Sequence, residues 1–212
     1  MQTTPGRIVV DVPLIDRTTD PVQSDTPAAD PFALAASWLP AEGEDRALMT
    51  LSTIDADGFP RARTVMLSEL SGERFFFHTD ADSRKVADLA ANPKVALTVL
   101  WPGFTRQLVV QGTAEVAPAA EVADAFAKRS PYLRQLAWVN TPAYAALPRV
   151  ERERRWARFA AEHPEPAQPA GWVGYAVIPH RMIFWVSHPD AAGRRIEYVR
   201  TASAWDRHVL PG

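Results

Sequence analysis

The chain has 212 residues, of which 47% are hydrophobic and 23% are charged, so it can bury a substantial core. Its formal net charge of -2 gives no support for a nucleic-acid partner, and the absence of cysteine excludes disulfides, thiolate metal sites and a cysteine nucleophile. No apolar run has the length of a membrane span, and the N-terminal residues lack the pattern of a signal peptide. We therefore expect a cytoplasmic protein with no membrane partner.

The predicted elements mix strands and helices without an internal repeat. Residues 1–30 are rich in Thr, Asp and Pro, which predicts a flexible N-terminal arm, and residues 31–212 are predicted to form a single domain. Apolar periodicity and turn residues predict helices over 32–39, 84–92, 119–129 and 150–162, an irregular stretch with helical pieces over 131–148, and strands over 47–54, 60–67, 74–79, 94–101, 107–116, 173–178, 182–187, 195–200 and 205–210. Many antiparallel strands with helices between them indicate a barrel-like α+β domain.

Residues 61–85 carry the densest chemical signal. Two apolar runs, 63–67 and 75–77, flank Ser71-Gly72-Glu73 and predict a β-hairpin. A helix capped by Asp82 or Ser83 follows, which puts Arg84 and Lys85 in its first turn. That end of a helix is already positive because its amides are free. Two cations there indicate either a bound anion, held as a phosphate is held, or a solvated first turn.

The usual catalytic motifs are missing from the sequence. The five histidines show no helical metal-ligand spacing, so we expect no metal site. There is no nucleophile elbow, no P-loop and no dinucleotide fingerprint. An enzyme with this sequence would therefore take its chemistry from a cofactor.

An ordered set of short motifs resembles one family. The set comprises R-x-V-x-L at 63–67, F-x-T-x-x-x-S-R-K at 77–85, N-P at 92–93, R-Q at 106–107 and a late Ile-Phe-Trp run at 183–185. Together they resemble the pyridoxamine 5′-phosphate oxidase family of FMN-binding split β-barrels. The resemblance implies an α+β fold with an antiparallel split barrel, peripheral helices, and a homodimer with two FMN sites at its interface. Within the family, R-T-V-x-x-S-E at 63–69 is similar to the phenazine-biosynthesis branch.

The resemblance also implies which residues hold the cofactor and the substrate. The flavin edge would be formed by Arg63, Thr64, Val65, Met66, Leu67 and Ser68, with the Arg63 guanidinium near the phosphate. Other cofactor contacts would come from His78, Thr79, Ser83, Arg84, Lys85, Gln107, Trp185 and Arg195, and substrate contacts from Arg129, Trp138 and His78. Ordinary structural roles are open alternatives. Trp185 could be a core aromatic, Arg195 could pair with Glu197 or Asp190, and Arg129 could end its helix.

Departures from the family pattern fall on the substrate side. Positions where the vitamin-phosphate oxidases grip the substrate phosphate are here Ser68, Ala125, Leu133, Ala191 and Gly193. Leaving a phosphate dianion unpaired against such residues would cost several kcal/mol per ion. A less charged, flat substrate is therefore expected. Pro142 and Ala143 replace a polar pair that contacts flavin in the family, so that part of the flavin contact set is open.

The function expected from the resemblance is that of an FMN-dependent oxidase. It would remove hydride from a small, flat dihydroaromatic or amine intermediate of secondary metabolism, of the phenazine type, with O₂ as acceptor and H₂O₂ as product. Three alternatives remain open: a pyridoxamine/pyridoxine 5′-phosphate oxidase, a reductase that uses the deazaflavin F420, and a non-catalytic flavin- or haem-binding split barrel.

Overall fold

The computed structural model describes residues 17–40, 47–103 and 105–212. Within these ranges the strands are β1 Leu48–Ile54, β2 Pro60–Met66, β3 Glu69–Ser71, β4 Arg74–Asp80, β5 Lys94–Leu100, β6 Arg106–Val116, β7 Trp172–Val186, β8 Arg194–Arg200 and β9 Trp205–Pro211. The helices are α1 Pro31–Trp38, α2 Arg84–Ala91, α3 Ala119–Ala127, α4 Pro131–Val139, α5 Pro142–Ala145 and α6 Arg149–Glu162, with a 3₁₀ turn at Pro21–Gln23. The α+β class predicted from the sequence is confirmed.

The strands pair in the order β2-β1-β5-β6-β7-β4-β3, and β8 pairs with β7 and β9. The chain divides into two compact units. The first, called here the β8–β9 unit, contains described residues 17–39, 97–103, 105–110 and 180–212. The second, called the α2 unit, contains residues 40, 47–96 and 111–179. Strands β5, β6 and β7 contribute residues to both units.

In the α2 unit, β1 and β2 form a hairpin through a tight turn. Gly58 has a φ of +85°, as expected for its position in that turn, and Asp55 N donates to Phe59 O at 2.9 Å. The antiparallel register places Leu51 opposite Arg63 and Thr53 opposite Arg61. This local pairing sets the positions of the two arginines.

The hairpin predicted between residues 63–67 and 75–77 is wrong in its first strand. β4 pairs instead with the short β3, across a turn in which Gly72 and Glu73 have φ values of +52° and +60°. Residues 60–66 pair with β1 because the preceding turn already folds them back onto it. One link to β4 remains, since Ser68 N donates to Phe76 O at 2.8 Å.

The two strands predicted over 173–178 and 182–187 are one continuous strand, β7. Residues 172–177 of β7 pair with β4, and residues 181–186 pair with β8. Pro179 lies where the partner changes, so its missing N–H breaks neither set of pairs. The stretch 131–148 is also more regular than predicted: α4 begins after Ser130, whose side chain accepts from Leu133 N at 3.4 Å.

In the β8–β9 unit, part of the predicted arm is packed against the strands. Asp20 and Val22 are buried, and Asp20 forms an ion pair with Arg106 at 2.5 Å. The Tyr198 hydroxyl donates to Ala28 O at 2.6 Å. Residues 1–16 lie outside the described residues, and the domain boundary at residue 30 stays a prediction. None of the described helices is long and apolar enough to cross a membrane.

Candidate active site

The first turn of α2 gathers a cation and two hydroxyls. Lys85 Nζ donates to Thr79 Oγ1 at 2.7 Å, and the Thr79 and Ser83 hydroxyl oxygens are 3.3 Å apart. Ser83 is the N-cap residue, but its side chain makes no capping hydrogen bond. The neighbouring Arg84 is exposed. We call Thr79, Ser83, Arg84 and Lys85 the phosphate corner, because charge, hydroxyls and a helix N-terminus combine there as they do in phosphate sites.

The surroundings of Lys85 disfavour its positive charge. Burial lowers the pKa of Lys85 below its usual value, the positive charge of Arg63 lowers it further, and Asp80 partly offsets both effects. A bound phosphate would raise the pKa again, because an opposite charge favours the ammonium form.

Arg63 is held by acceptors within the α2 unit. Its Nη1 donates to Leu51 O at 3.1 Å and to Thr53 Oγ1 at 2.8 Å, and its Nη2 lies 3.3 Å from an oxygen of Asp88. The positive charge of Arg63 also acts on Lys85, because it contributes to the lowered pKa of Lys85. A direct contact between Arg63 and a phosphate stays a prediction.

The rest of the predicted flavin edge follows Arg63 along the chain. Thr64 is exposed, Val65 and Met66 are half-buried, and Leu67 is buried. β2 is terminal in the strand order of the described sheet, so no described strand of the protomer pairs with its outer edge. A strand edge without a backbone partner can donate to and accept from a planar heterocycle.

Ser68 and His78 form the next part of the site. Ser68 Oγ and His78 Nδ1 are 2.8 Å apart, and the His78 ring lies parallel to the indole of Trp172 at 5.8 Å between centroids. Gly174 is opposite His78 in the strand register, and a Cβ there would lie 2.9 Å from the imidazole. Only glycine therefore leaves room for the ring. Arg129 is 8% exposed, and its guanidinium lies 4.2 Å from the Trp172 ring.

Trp138 makes its contacts elsewhere in the α2 unit. Its indole N–H donates to Ala167 O at 2.7 Å, and its ring lies 6.4 Å from that of Phe159 on α6. Arg129 and His78 thus both contact Trp172, whereas the Trp138 N–H is bonded to Ala167 O. Pro142 and Ala143 open α5, whose N-cap Thr141 accepts from Tyr144 N at 3.2 Å.

Gln107, Trp185 and Arg195 belong to the β8–β9 unit. Trp185 and Arg195 are directly opposite each other in the β7–β8 register. Trp185 is buried, and a Cβ on Gly193 would lie 2.7 Å from its Nε1. Glu197, one of the two alternative partners expected for Arg195, forms an ion pair with Arg181 at 3.4 Å. Trp185 and Arg195 therefore share one face of the β7–β8 pair. Gln107 lies on β6 and is half-buried.

Three residues that organise the site are absent from the sequence-based predictions. The first two are Trp172 and Gly174. Gly174 carries a weak signal in the sequence, because a glycine inside a strand pattern often marks a close approach of another group. Asp88 has the pattern of an ordinary polar position on an amphipathic helix. Its burial against two arginines of β2 depends on tertiary packing that no local pattern indicates.

Comparisons with known proteins agree with the ordered motifs. Residues 41–165 match the family model described as pyridoxamine 5′-phosphate oxidase, and residues 172–211 match the pyridoxine 5′-phosphate oxidase C-terminal dimerisation region. A pyridoxine/pyridoxamine 5′-phosphate oxidase of Pseudomonas paraeruginosa is 34% identical over 207 residues, covering 91% of this chain and 94% of the relative. One of Rhodopseudomonas palustris is 36% identical over 195 residues, covering 87% and 91%.

Solved structures show the same fold. The crystal structure of PhzG from Burkholderia lata, in complex with tetrahydrophenazine-1-carboxylic acid, has a TM-score of 0.74 at 22% identity and covers 95% of this chain and 99% of its own. A pyridoxamine 5′-phosphate oxidase-related FMN-binding protein from Nostoc punctiforme has a TM-score of 0.63 at 15% identity, covering 77% and 87%. At these identities the likeness concerns the fold alone. The matches to both family regions and the curated relatives establish that the chain belongs to the pyridoxamine 5′-phosphate oxidase family.

Proposed function

We propose that the protein is an FMN-dependent oxidase that acts on a small, flat dihydroaromatic or amine substrate of secondary metabolism, with O₂ as electron acceptor. The observation that carries the FMN part is the phosphate corner, where Lys85, Thr79 and Ser83 converge at the N-terminus of α2. These residue types fit the phosphate of FMN, which is a dianion with several acceptor oxygens.

Each part of the site has a role in this proposal. Thr79, Ser83, Arg84 and Lys85 would hold the phosphate, and the backbone from Thr64 to Ser68 would border the ring system. Trp185, Arg195 and Gln107 are proposed as further cofactor contacts. When bound, FMN supplies the hydride acceptor, and O₂ takes the electrons onward as H₂O₂. The match of residues 172–211 to a dimerisation region supports a homodimer, in which both subunits would complete each site.

The proposed substrate class depends on how few cations stand at the positions where the family binds the substrate phosphate. Arg129 is the one cation at the phosphate-gripping positions of the family pattern, where the other residues are Ser68, Ala125, Leu133, Ala191 and Gly193. The Arg129 guanidinium lies against Trp172 and donates to Leu133 O at 3.4 Å. Ser68 is hydrogen-bonded to His78. These surroundings favour a planar substrate with little charge over a phosphate ester.

The chain's own contribution to the reaction is orientation. The hydrogen bond between Ser68 Oγ and His78 Nδ1 and the parallel Trp172 indole fix the His78 ring, and His78 is proposed as a substrate contact. No general base is required if loss of hydride makes the substrate ring aromatic. Arg129 and Trp138 are proposed as further substrate contacts.

A second candidate function is that of a pyridoxine/pyridoxamine 5′-phosphate oxidase. The observation in its favour is the name shared by the curated relatives, which are 34% and 36% identical over most of the chain. The two candidates differ in substrate and share the cofactor.

One set of measurements tests both candidates. The absorption spectrum and mass of the co-purified ligand identify the cofactor, and a spectrum without FMN, or that of a deazaflavin, would contradict the proposal. The FMN-loaded protein is then assayed for H₂O₂ with pyridoxamine 5′-phosphate and with a dihydrophenazine carboxylic acid as separate substrates. Turnover of the dihydroaromatic acid alone supports the first candidate. Efficient turnover of pyridoxamine 5′-phosphate supports the second, and turnover of neither substrate favours a non-catalytic flavin carrier.

A further inference from the structure

A buried carboxylate lies behind the phosphate corner. Asp88, on α2, is only 4% exposed, and both of its oxygens accept hydrogen bonds. Oδ1 accepts from Arg61 Nη1 at 3.1 Å. Oδ2 accepts from Thr53 Oγ1 at 2.7 Å and from Arg63 Nη2 at 3.3 Å. A carboxylate that is buried and fully paired in this way fixes the positions of the groups around it.

The network restrains Arg63 from three sides. Besides Asp88, the guanidinium is bonded to Leu51 O at 3.1 Å and to Thr53 Oγ1 at 2.8 Å, both on β1. Lys85 lies one turn before Asp88 on the same helix. The Asp88 side chain therefore connects the strand that carries Arg63 to the helix that carries the phosphate corner.

A second arm of the network reaches the β1–β2 turn. Arg61 bonds to Asp88 through Nη1 and to Asp55 Oδ2 through Nε at 3.0 Å. Asp55 in turn accepts from the backbone amides of Asp57 and Phe59, at 3.0 Å and 2.9 Å. Turn, strand and helix are thus joined through one carboxylate on α2.

We propose that Asp88 is a positioning residue of the FMN phosphate site, which holds Arg63 and the first turn of α2 in the arrangement that receives the phosphate. The proposal rests on the FMN-binding function proposed above. It goes beyond that function because Asp88 carries the same charge as the phosphate and would act on it only through the residues that it holds.

Asp88 could act through its negative charge or by positioning its partners, and the two roles predict opposite changes in phosphate affinity when the charge is removed. If Asp88 acted only through its negative charge, its neutralisation would strengthen phosphate binding, because a repulsive charge would be removed. If Asp88 acts by positioning, neutralisation weakens phosphate binding, because Arg63 and α2 lose their common acceptor. The sign of the change therefore separates the two roles.

The experiment compares FMN with riboflavin, which lacks the phosphate. Dissociation constants of both ligands are measured by flavin fluorescence on the apoprotein of the wild type, of Asp88→Asn and of a matched control, Asp124→Asn. Asp124 is exposed on α3 of the same unit, where its carboxylate pairs with Lys128, and such surface pairs contribute little to stability. The control therefore makes the same chemical change outside the network.

The expected results differ between the two variants. Residues that orient metal ligands change affinity by about 10- to 100-fold when replaced, and we expect about ten-fold weaker FMN binding for Asp88→Asn. Riboflavin affinity should change little in this variant, because riboflavin has no phosphate to position. Asp124→Asn should bind both flavins like the wild type.

A double-variant cycle tests the route through Arg63. If Asp88 acts by holding that guanidinium, Asp88→Asn should have a much smaller effect on FMN affinity when Arg63 is already Gln. Thr53→Val provides a milder variant without a change of charge, should Asp88→Asn fail to fold. Because Thr53 bonds to both Asp88 and Arg63, we expect its loss to weaken FMN binding in the same direction but by less.

The outcomes separate this inference from the function on which it rests. If the wild type binds FMN no more tightly than riboflavin, the phosphate corner itself is wrong. If the wild type prefers FMN, the inference alone is overturned by unchanged or tighter FMN binding in Asp88→Asn, or by equal losses for both flavins. Equal losses would assign Asp88 a purely structural role, which thermal unfolding of the apoproteins would show independently.

Discussion

Replacement of Lys85 by Gln provides the most direct test of the phosphate corner. The side chain is half-buried and its ammonium already donates to Thr79 Oγ1, 2.7 Å away. A hydrogen bond to a charged group contributes about 1.5–3 kcal/mol, which corresponds to about a 10- to 150-fold change in dissociation constant. We expect Lys85→Gln to weaken FMN binding by this factor, measured by fluorescence titration of the apoprotein.

Two comparisons make the result interpretable. Riboflavin affinity should hardly change, because the lost interaction is with the phosphate. Lys94→Gln, at the exposed start of β5, removes the same charge from a position outside the site and should bind FMN like the wild type. Equal losses of FMN and riboflavin affinity, or an unchanged FMN affinity in Lys85→Gln, would refute the assignment.

Three further predictions concern pH, packing and the N-terminal segment. Burial and the charge of Arg63 lower the pKa of Lys85, so its ammonium is lost as pH rises through a value below 10.5. FMN affinity should therefore fall over that alkaline range. The same fall in the Lys85→Gln variant would contradict this cause. Gly174→Ala places a Cβ 2.8 Å from a Val122 methyl and 2.9 Å from the His78 ring, and should lower the free energy of unfolding by about 1–3 kcal/mol in urea titrations, so an unchanged midpoint would exclude the crowding. Asp20→Asn leaves Arg106 with a weakened partner in a buried pair and should cost about 3 kcal/mol of unfolding free energy, whereas unchanged stability would mean that residues 17–30 contribute little.

Local sequence signals predicted the bounds of α2 and the position of its first-turn cations well. The helix start at Ser83, the cations after it and the helix end at Asn92 are all decided within about ten residues of chain. The glycine at position 58 likewise marks its own turn. Such features depend on caps, turn residues and periodicity, which a sequence displays directly.

The features that sequence reasoning missed depend on distant pairing. The turn after Ile54 folds residues 60–66 back onto β1, and β4 instead pairs with the three-residue β3, which is too short to give a strand signal of its own. The sequence pattern around Pro179 predicts an interruption, because nothing local shows that β7 changes partner there. Asp88 becomes important only when packing places it against Arg61 and Arg63.

In the proposed site, the cations are more numerous at the start of α2 than beside Arg129. On the proposed cofactor side, Arg84 and Lys85 lie at the start of α2, and the positive charge of Arg63 lowers the pKa of Lys85. On the proposed substrate side, Arg129 is the cation of the family pattern, and its guanidinium already contacts Trp172. A ligand with a phosphate therefore has a much stronger electrostatic reason to bind at α2 than beside Arg129. If FMN occupies that corner, Arg129 is the cation that the family pattern leaves for a phosphorylated substrate, and such a position suits a neutral or singly charged ring better than a dianion. The excess of cations on one side would thus select both the orientation of the cofactor and the charge of the substrate.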